Sequence, residues 1–125
     1  MGQTKGFNAA FFFAALADRT RLRLLNLMRD GEVCVCFLAE TLQTNDPKIS
    51  RHLSYLKRAD LVRYRREGKW MHYRINEPSD AAARQILVSA LDLIRADAEM
   101  QRDLKRLIKV CCPPSAPVRI ARSGK

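Results

Sequence analysis

Apolar positions along the chain follow two rhythms. The run from Phe7 to Ala17 is almost wholly apolar and predicts a first helix. Asp18 suits the N-cap of a second, Arg19 to Arg29, in which Leu22, Leu25 and Met28 recur at helical spacing until Asp30-Gly31 ends it. A third helix is expected from about Val33 to Leu42, followed by a short polar turn, Gln43-Thr44-Asn45-Asp46. With Asp46 as cap and Pro47 in the first position, a fourth helix runs to about Arg58 and buries Ile49, Leu53 and Leu56. The period then drops to two. Leu61 to Arg66 and Trp70 to Ile75 alternate around Glu67-Gly68-Lys69, which predicts a β-hairpin. A long final helix is expected from about Ser79 to Lys109, with Ile86, Leu87, Leu91, Ile94, Leu104 and Leu107 on one side.

The fold class is therefore mostly α with one β-hairpin. A helix–turn–helix followed at once by a hairpin is the winged helix-turn-helix plan, with the fourth helix in the major groove and the hairpin against the backbone or minor groove. Residues 1–6 read as a flexible start, residues 7–110 as one domain, and residues 111–125 as a tail holding vicinal cysteines, prolines and arginines. The apolar stripes on the first and last helices exceed what one small core can cover, which predicts a two-fold homodimer through both.

Charge sharpens this picture. The chain of 125 residues carries a formal net charge of +10. Residues 1–46 sum to zero, whereas residues 47–74 set nine basic side chains against Asp60 and Glu67. That block is too apolar to be a solvated tail. Clustered cations in a foldable segment suit a polyphosphate partner, double-stranded DNA, although a solvated basic face has the same composition.

The candidate DNA contacts are the turn residues Gln43, Thr44 and Asn45, the helix residues Lys48, Ser50, Arg51, His52 and Tyr55, and the hairpin residues Arg65, Arg66 and Lys69. Lys48, Arg51 and Tyr55 share a helix face by spacing. Arg and Lys read guanine edges or grip phosphate, and Ser and His donate to phosphate oxygens. His52 reads equally well as a half-buried packing residue, and Trp70 and Tyr73 read as core.

The four cysteines, Cys34, Cys36, Cys111 and Cys112, form one CxC and one CC pair. Neither spacing resembles a secreted disulfide framework; both suit reduced thiols in a cytoplasm. Lys5 ahead of the run ending Ala15-Leu16-Ala17 mimics a secretory leader, but cleavage there removes the first helix. No apolar run is long enough to span a membrane, so no membrane partner is expected. Thiolates far in sequence from His52 and His72 favour soft ions, and a zinc site mixing His and Cys is disfavoured. Trivalent arsenic takes three thiols in a pyramid; a four-cysteine zinc or cadmium site and simple burial as small hydrophobes stay open. Residues i and i+2 of a regular helix are about 200° apart. Cys34 and Cys36 could then share an ion only if the first turn of the third helix opened. No Ser-His-Asp set, paired-carboxylate site or glycine-rich phosphate loop is present, so catalysis is not expected.

Gly31-Glu32-Val33-Cys34-Val35-Cys36-Phe37-Leu38 is similar to the ELCVCDL segment of ArsR/SmtB repressors. Pro47-Lys48-Ile49-Ser50-Arg51-His52-Leu53, Ala59-Asp60-Leu61-Val62 and Arg65-Arg66-Glu67-Gly68-Lys69 resemble that family's reader and wing. The resemblance implies a homodimeric cytoplasmic repressor that leaves its operator on capturing a metal or metalloid. Ala39 stands where the best-known arsenite repressors carry a third cysteine, and Cys111 or Cys112 is the expected substitute. There is no cysteine before Cys34, as cadmium and lead sensors have, and no His in the last helix, as zinc and nickel sensors have. Arsenite, antimonite or methylarsenite is the implied inducer, with no organic cofactor. A thiol redox or sulfide sensor on the same fold is the rival reading.

Overall fold

The computed structural model describes residues 7–111 and the backbone of residues 121–122. The order is α1 (Ala9–Leu16), α2 (Arg19–Leu27), β1 (Gly31–Cys34), α3 (Val35–Thr41), α4 (Asp46–Arg58), β2 (Val62–Glu67), β3 (Trp70–Ile75), α5 (Ala81–Ile94), α6 (Ala98–Cys111) and a two-residue β4 (Ala121–Arg122). The strands form an antiparallel sheet ordered β2-β3-β1-β4. The expected winged helix-turn-helix is present in α3, α4 and the β2–β3 hairpin.

Short polar side chains start most of the helices. Asn8, Asp18, Asn45 and Asp80 each accept a hydrogen bond from the backbone N–H three residues on, at 2.9–3.0 Å. Asn45 therefore caps α4, and Asp46, expected in that role, is already helical. Both α3 and α4 end in the same way. Thr44 N–H reaches Ala39 O and Gln43 N–H reaches Glu40 O; Leu61 N–H reaches Leu56 O and Asp60 N–H reaches Lys57 O. These are Schellman caps, with Gln43 (φ 58) and Asp60 (φ 67) in the left-handed region that usually holds glycine. They fix the angles at which α4 leaves α3 and enters the wing. Glu67 pairs with Trp70, so the wing turn is Gly68-Lys69, and Gly68 (φ 61) supplies its positive φ.

Two expected helices differ in the structure. The third starts two residues later, because Gly31–Cys34 forms strand β1 and pairs with β3, Val33 opposite Tyr73 and Cys34 opposite His72. The final helix is broken at residues 95–97. There Asp97 turns its carboxylate onto the N–H groups of Glu99 and Met100, starting α6 afresh. Ion pairs hold α6 against α2: Arg19 to Asp97 and Glu99, and a two-bond contact from Arg23 to Asp103, which is only 2% exposed.

The core gathers Phe12, Leu24, Leu25, Leu38, Ile49, Leu53, Leu56 and Leu61, each at most 1% exposed. Burial of this size is what holds a short helix such as α3 in place, since seven residues are too few to be helical alone.

Candidate functional site

On α4 the apolar face, Ile49, Leu53 and Leu56, is sealed into the core, and Lys48, Ser50 and Arg51 are exposed. Gln43 and Asn45 are exposed in the preceding turn and Thr44 is half-buried. The two other α4 candidates turn toward the protein. Tyr55 stacks on Phe11 with ring centroids 4.5 Å apart, and the Arg21 guanidinium lies 4.0 Å over its ring. His52 Nδ1 lies 3.4 Å from Arg21 Nη1 and 3.8 Å from Asp18 Oδ2. Arg21 also donates to the carbonyls of Ala14 and Ala15, so it joins α1, α2 and α4.

On the wing, Arg66 and Lys69 are exposed. Arg65 points back: its Nε and Nη2 donate to Glu32 at 2.8–3.0 Å, and Glu67 approaches at 3.5 Å. Hydrogen bonding to Glu32 raises the Arg65 pKa above its ordinary value. Glu32 was not singled out from the sequence, since its partner lies 33 residues away across the sheet.

The thiols are arranged differently from the helical expectation. Cys34 is the N-cap of α3, with extended backbone (φ −71, ψ 144), and Cys36 is the second helical residue. An N-cap side chain folds back over the second and third residues of its helix. The two Sγ atoms accordingly lie 3.1 Å apart, and no opening of the helix is required to bring them together. Burial, reinforced by the hydrogen bond to Cys34, pushes the Cys36 thiol up to about 12.

Beside the pair is a cavity of about 320 Å³ lined by Cys34, Cys36, Phe37, Arg65, Glu67, Trp70 and His72. Half its wall is the α3 start and half is the wing. The cross-strand pairing of Cys34 with His72 brings together groups that sequence separation had kept apart. Trp70, expected in the core, is 48% exposed at the cavity, while Tyr73 is buried.

Cys111 ends α6 on its inner face, in line with Met100, Asp103 and Leu107, and is not among the residues lining the dithiol cavity. Among the described residues no group of three or more His, Cys, Asp or Glu stands ready to hold a metal ion. Cys112 lies outside the described residues.

Residues 18–64 match the family described as "Bacterial regulatory protein, arsR family". The chain is 38% identical over 111 residues to the arsenic resistance transcriptional regulator ArsR1 of Pseudomonas putida, covering 87% of this chain and 84% of that protein. It belongs to the ArsR family. Over 79 residues this ArsR-family chain is also 44% identical to the arsenical resistance operon repressor of Escherichia coli, covering 62% of this chain and 68% of the relative. Among solved structures it is similar to the AntR antimony-specific transcriptional repressor, with 31% identity, a TM-score of 0.54, and coverage of 76% of this chain and 89% of that one. As an ArsR-family protein it is a DNA-binding transcriptional regulator and not an enzyme. No described helix is long and apolar enough to cross a membrane.

Proposed function

We propose that this ArsR-family protein is a cytoplasmic homodimeric repressor whose Cys34 and Cys36 capture trivalent arsenic or antimony and so release operator DNA. The observation that carries the reading is the 3.1 Å contact between the two sulfurs in a cavity shared by α3 and the wing. A centre bonding sulfur at about 2.3 Å needs sulfurs about 3.8 Å apart in a tetrahedron but only about 3.3 Å apart at the right-angled corner of a pyramid. The pair is closer to the pyramid. The relatives' names point the same way, two to arsenic resistance and one to antimony.

Lys48, Ser50 and Arg51 are the exposed readers on α4, and Arg66 and Lys69 the phosphate contacts on the wing, with Gln43, Thr44 and Asn45 at the turn. An ion bound between α3 and the wing bears on both DNA-contacting units. A few kcal/mol of preference for the released conformation is enough to shift the population. A third thiolate from Cys111 or Cys112, of the same or the partner subunit, is the alternative to an oxygen in the third arsenic position, and counting sulfur neighbours by arsenic X-ray absorption decides between them.

The close sulfurs also suit oxidation to a disulfide, so a thiol redox sensor is the second reading. One titration separates the two. Reduced protein on labelled operator DNA is titrated with arsenite, then with peroxide or persulfide, and release is followed by fluorescence anisotropy. Arsenite is expected to release the wild type, while Cys34→Ser and Cys36→Ser bind the operator normally and stay bound. Release by oxidant alone removes the arsenic reading.

A further inference from the structure

With two thiols in place, arsenite leaves one arsenic–oxygen bond unexchanged. Capture by the pair is a condensation without redox change. Two S–H and two As–OH bonds break, two As–S bonds form, two waters leave, and arsenic keeps its third hydroxyl as (Cys–S)2As–OH. That hydroxyl is polar and enters a cavity partly walled by Phe37 and Trp70, where an unpaired polar group is costly.

His72 lines the same cavity and sits opposite Cys34 across the β1–β3 ladder. Its Nε2 is buried and makes no hydrogen bond. Glu67 Oε1 is 3.2 Å away, within ion-pair distance but out of line for a hydrogen bond. A buried unsatisfied ring nitrogen needs a physical account, and a ligand group absent from the protein chain supplies one.

We propose that His72 is the third element of the sensor, its Nε2 hydrogen-bonding the hydroxyl that arsenic retains on the Cys34–Cys36 pair. The bond serves in either tautomer, because Nε2–H donates to the arsenic-bound oxygen and bare Nε2 accepts its proton. His72 thereby answers the absence of a third cysteine at Ala39 and carries the arsenic from α3 to wing strand β3. The inference rests on the dithiol reading above.

The test compares arsenite with methylarsenous acid, whose carbon takes the third position and leaves no hydroxyl once two thiols are bound. Trp70, the single tryptophan of the chain, lines the cavity and reports binding by its fluorescence. His72→Ala is expected to weaken arsenite binding about tenfold, the effect of one buried hydrogen bond, and to change methylarsenous acid binding by less than about threefold. His72→Gln, which keeps a polar end, is expected to recover most of the arsenite affinity. Arsenic X-ray absorption on the arsenite complex is expected to show two sulfurs and one oxygen. Equal loss for both ligands in His72→Ala, no loss for either, or a three-sulfur spectrum overturns the assignment to His72 and leaves the dithiol intact. Normal binding of both ligands by Cys34→Ser overturns the dithiol reading itself.

Discussion

At the scale of single residues, Cys36 bears on which ions the proposed dithiol site would favour. Its pKa is raised to about 12, chiefly by burial, so at neutral pH the sulfur carries its proton. A bare dication must expel such a proton, and its binding strengthens as pH rises. Arsenous acid brings hydroxyls that leave with the thiol protons as water. Arsenite-induced operator release is therefore expected to change little between about pH 6 and pH 8, while any cadmium response rises across that range. Titrations in buffers of different ionisation enthalpy check this, since arsenite capture should show no net proton release. The folded state prefers the protonated thiol, so the contribution of Cys36 is complete below its ordinary value of 9.0 and is lost as pH rises toward about 12.

At the scale of elements, the wing divides its cations into two kinds. Arg66 and Lys69 face solvent, whereas Arg65 is already neutralised by Glu32 on β1. A cation contributes to the salt dependence of DNA binding only when it replaces a counterion on phosphate. Arg66→Ala and Lys69→Ala are each expected to lower the salt slope by about one unit, and Arg65→Ala to leave it nearly unchanged. Glu32→Gln is expected to raise the slope by freeing Arg65. Anisotropy titrations over a range of salt concentrations read all four variants. The same Glu32–Arg65 clamp ties β1, which ends in Cys34, to β2. The cysteine pair and the wing therefore form one sheet-linked unit.

For the whole molecule, the exposed apolar faces bear on the proposed dimer. Phe13 on α1, Val88 and Leu93 on α5, and Ile108 on α6 are exposed, Leu93 by 82%. The inner face of α6 is spent on α2 and α3 within the chain, through Asp103, Met100 and Leu107. The expected first-and-last-helix dimer is thus better carried by α1 and α5, with α6 adding only Ile108. Val88→Glu and Leu93→Glu are expected to sediment as folded monomers at micromolar concentration, where the parent chain is a dimer, and to bind the operator more weakly because two half-sites no longer act together. Monomeric parent protein with native circular dichroism is the contrary result.

Local signals written into the sequence were enough for the helix–turn–helix–hairpin order. Asp18 starts a helix from its own side chain, Leu53 and Leu56 set the buried face of α4, and alternation in Trp70 to Ile75 makes a strand wherever that segment lies. The CxC pair and the basic block between residues 47 and 74 are equally local, and they pointed to thiol chemistry and to DNA. Contacts between distant segments decided the rest. Pairing of β1 with β3 moved Cys34 out of a helix and set it opposite His72, although 38 residues separate them. Glu32 pairs with Arg65 across the sheet, and Arg21 with Phe11 drew His52 and Tyr55 inward. Asp97 broke the last helix, which apolar periodicity alone carries through without interruption. Periodicity and capping act within a turn or two of chain, whereas the partner of a charge, a ring or a thiol is whatever folding brings within a few ångströms of it.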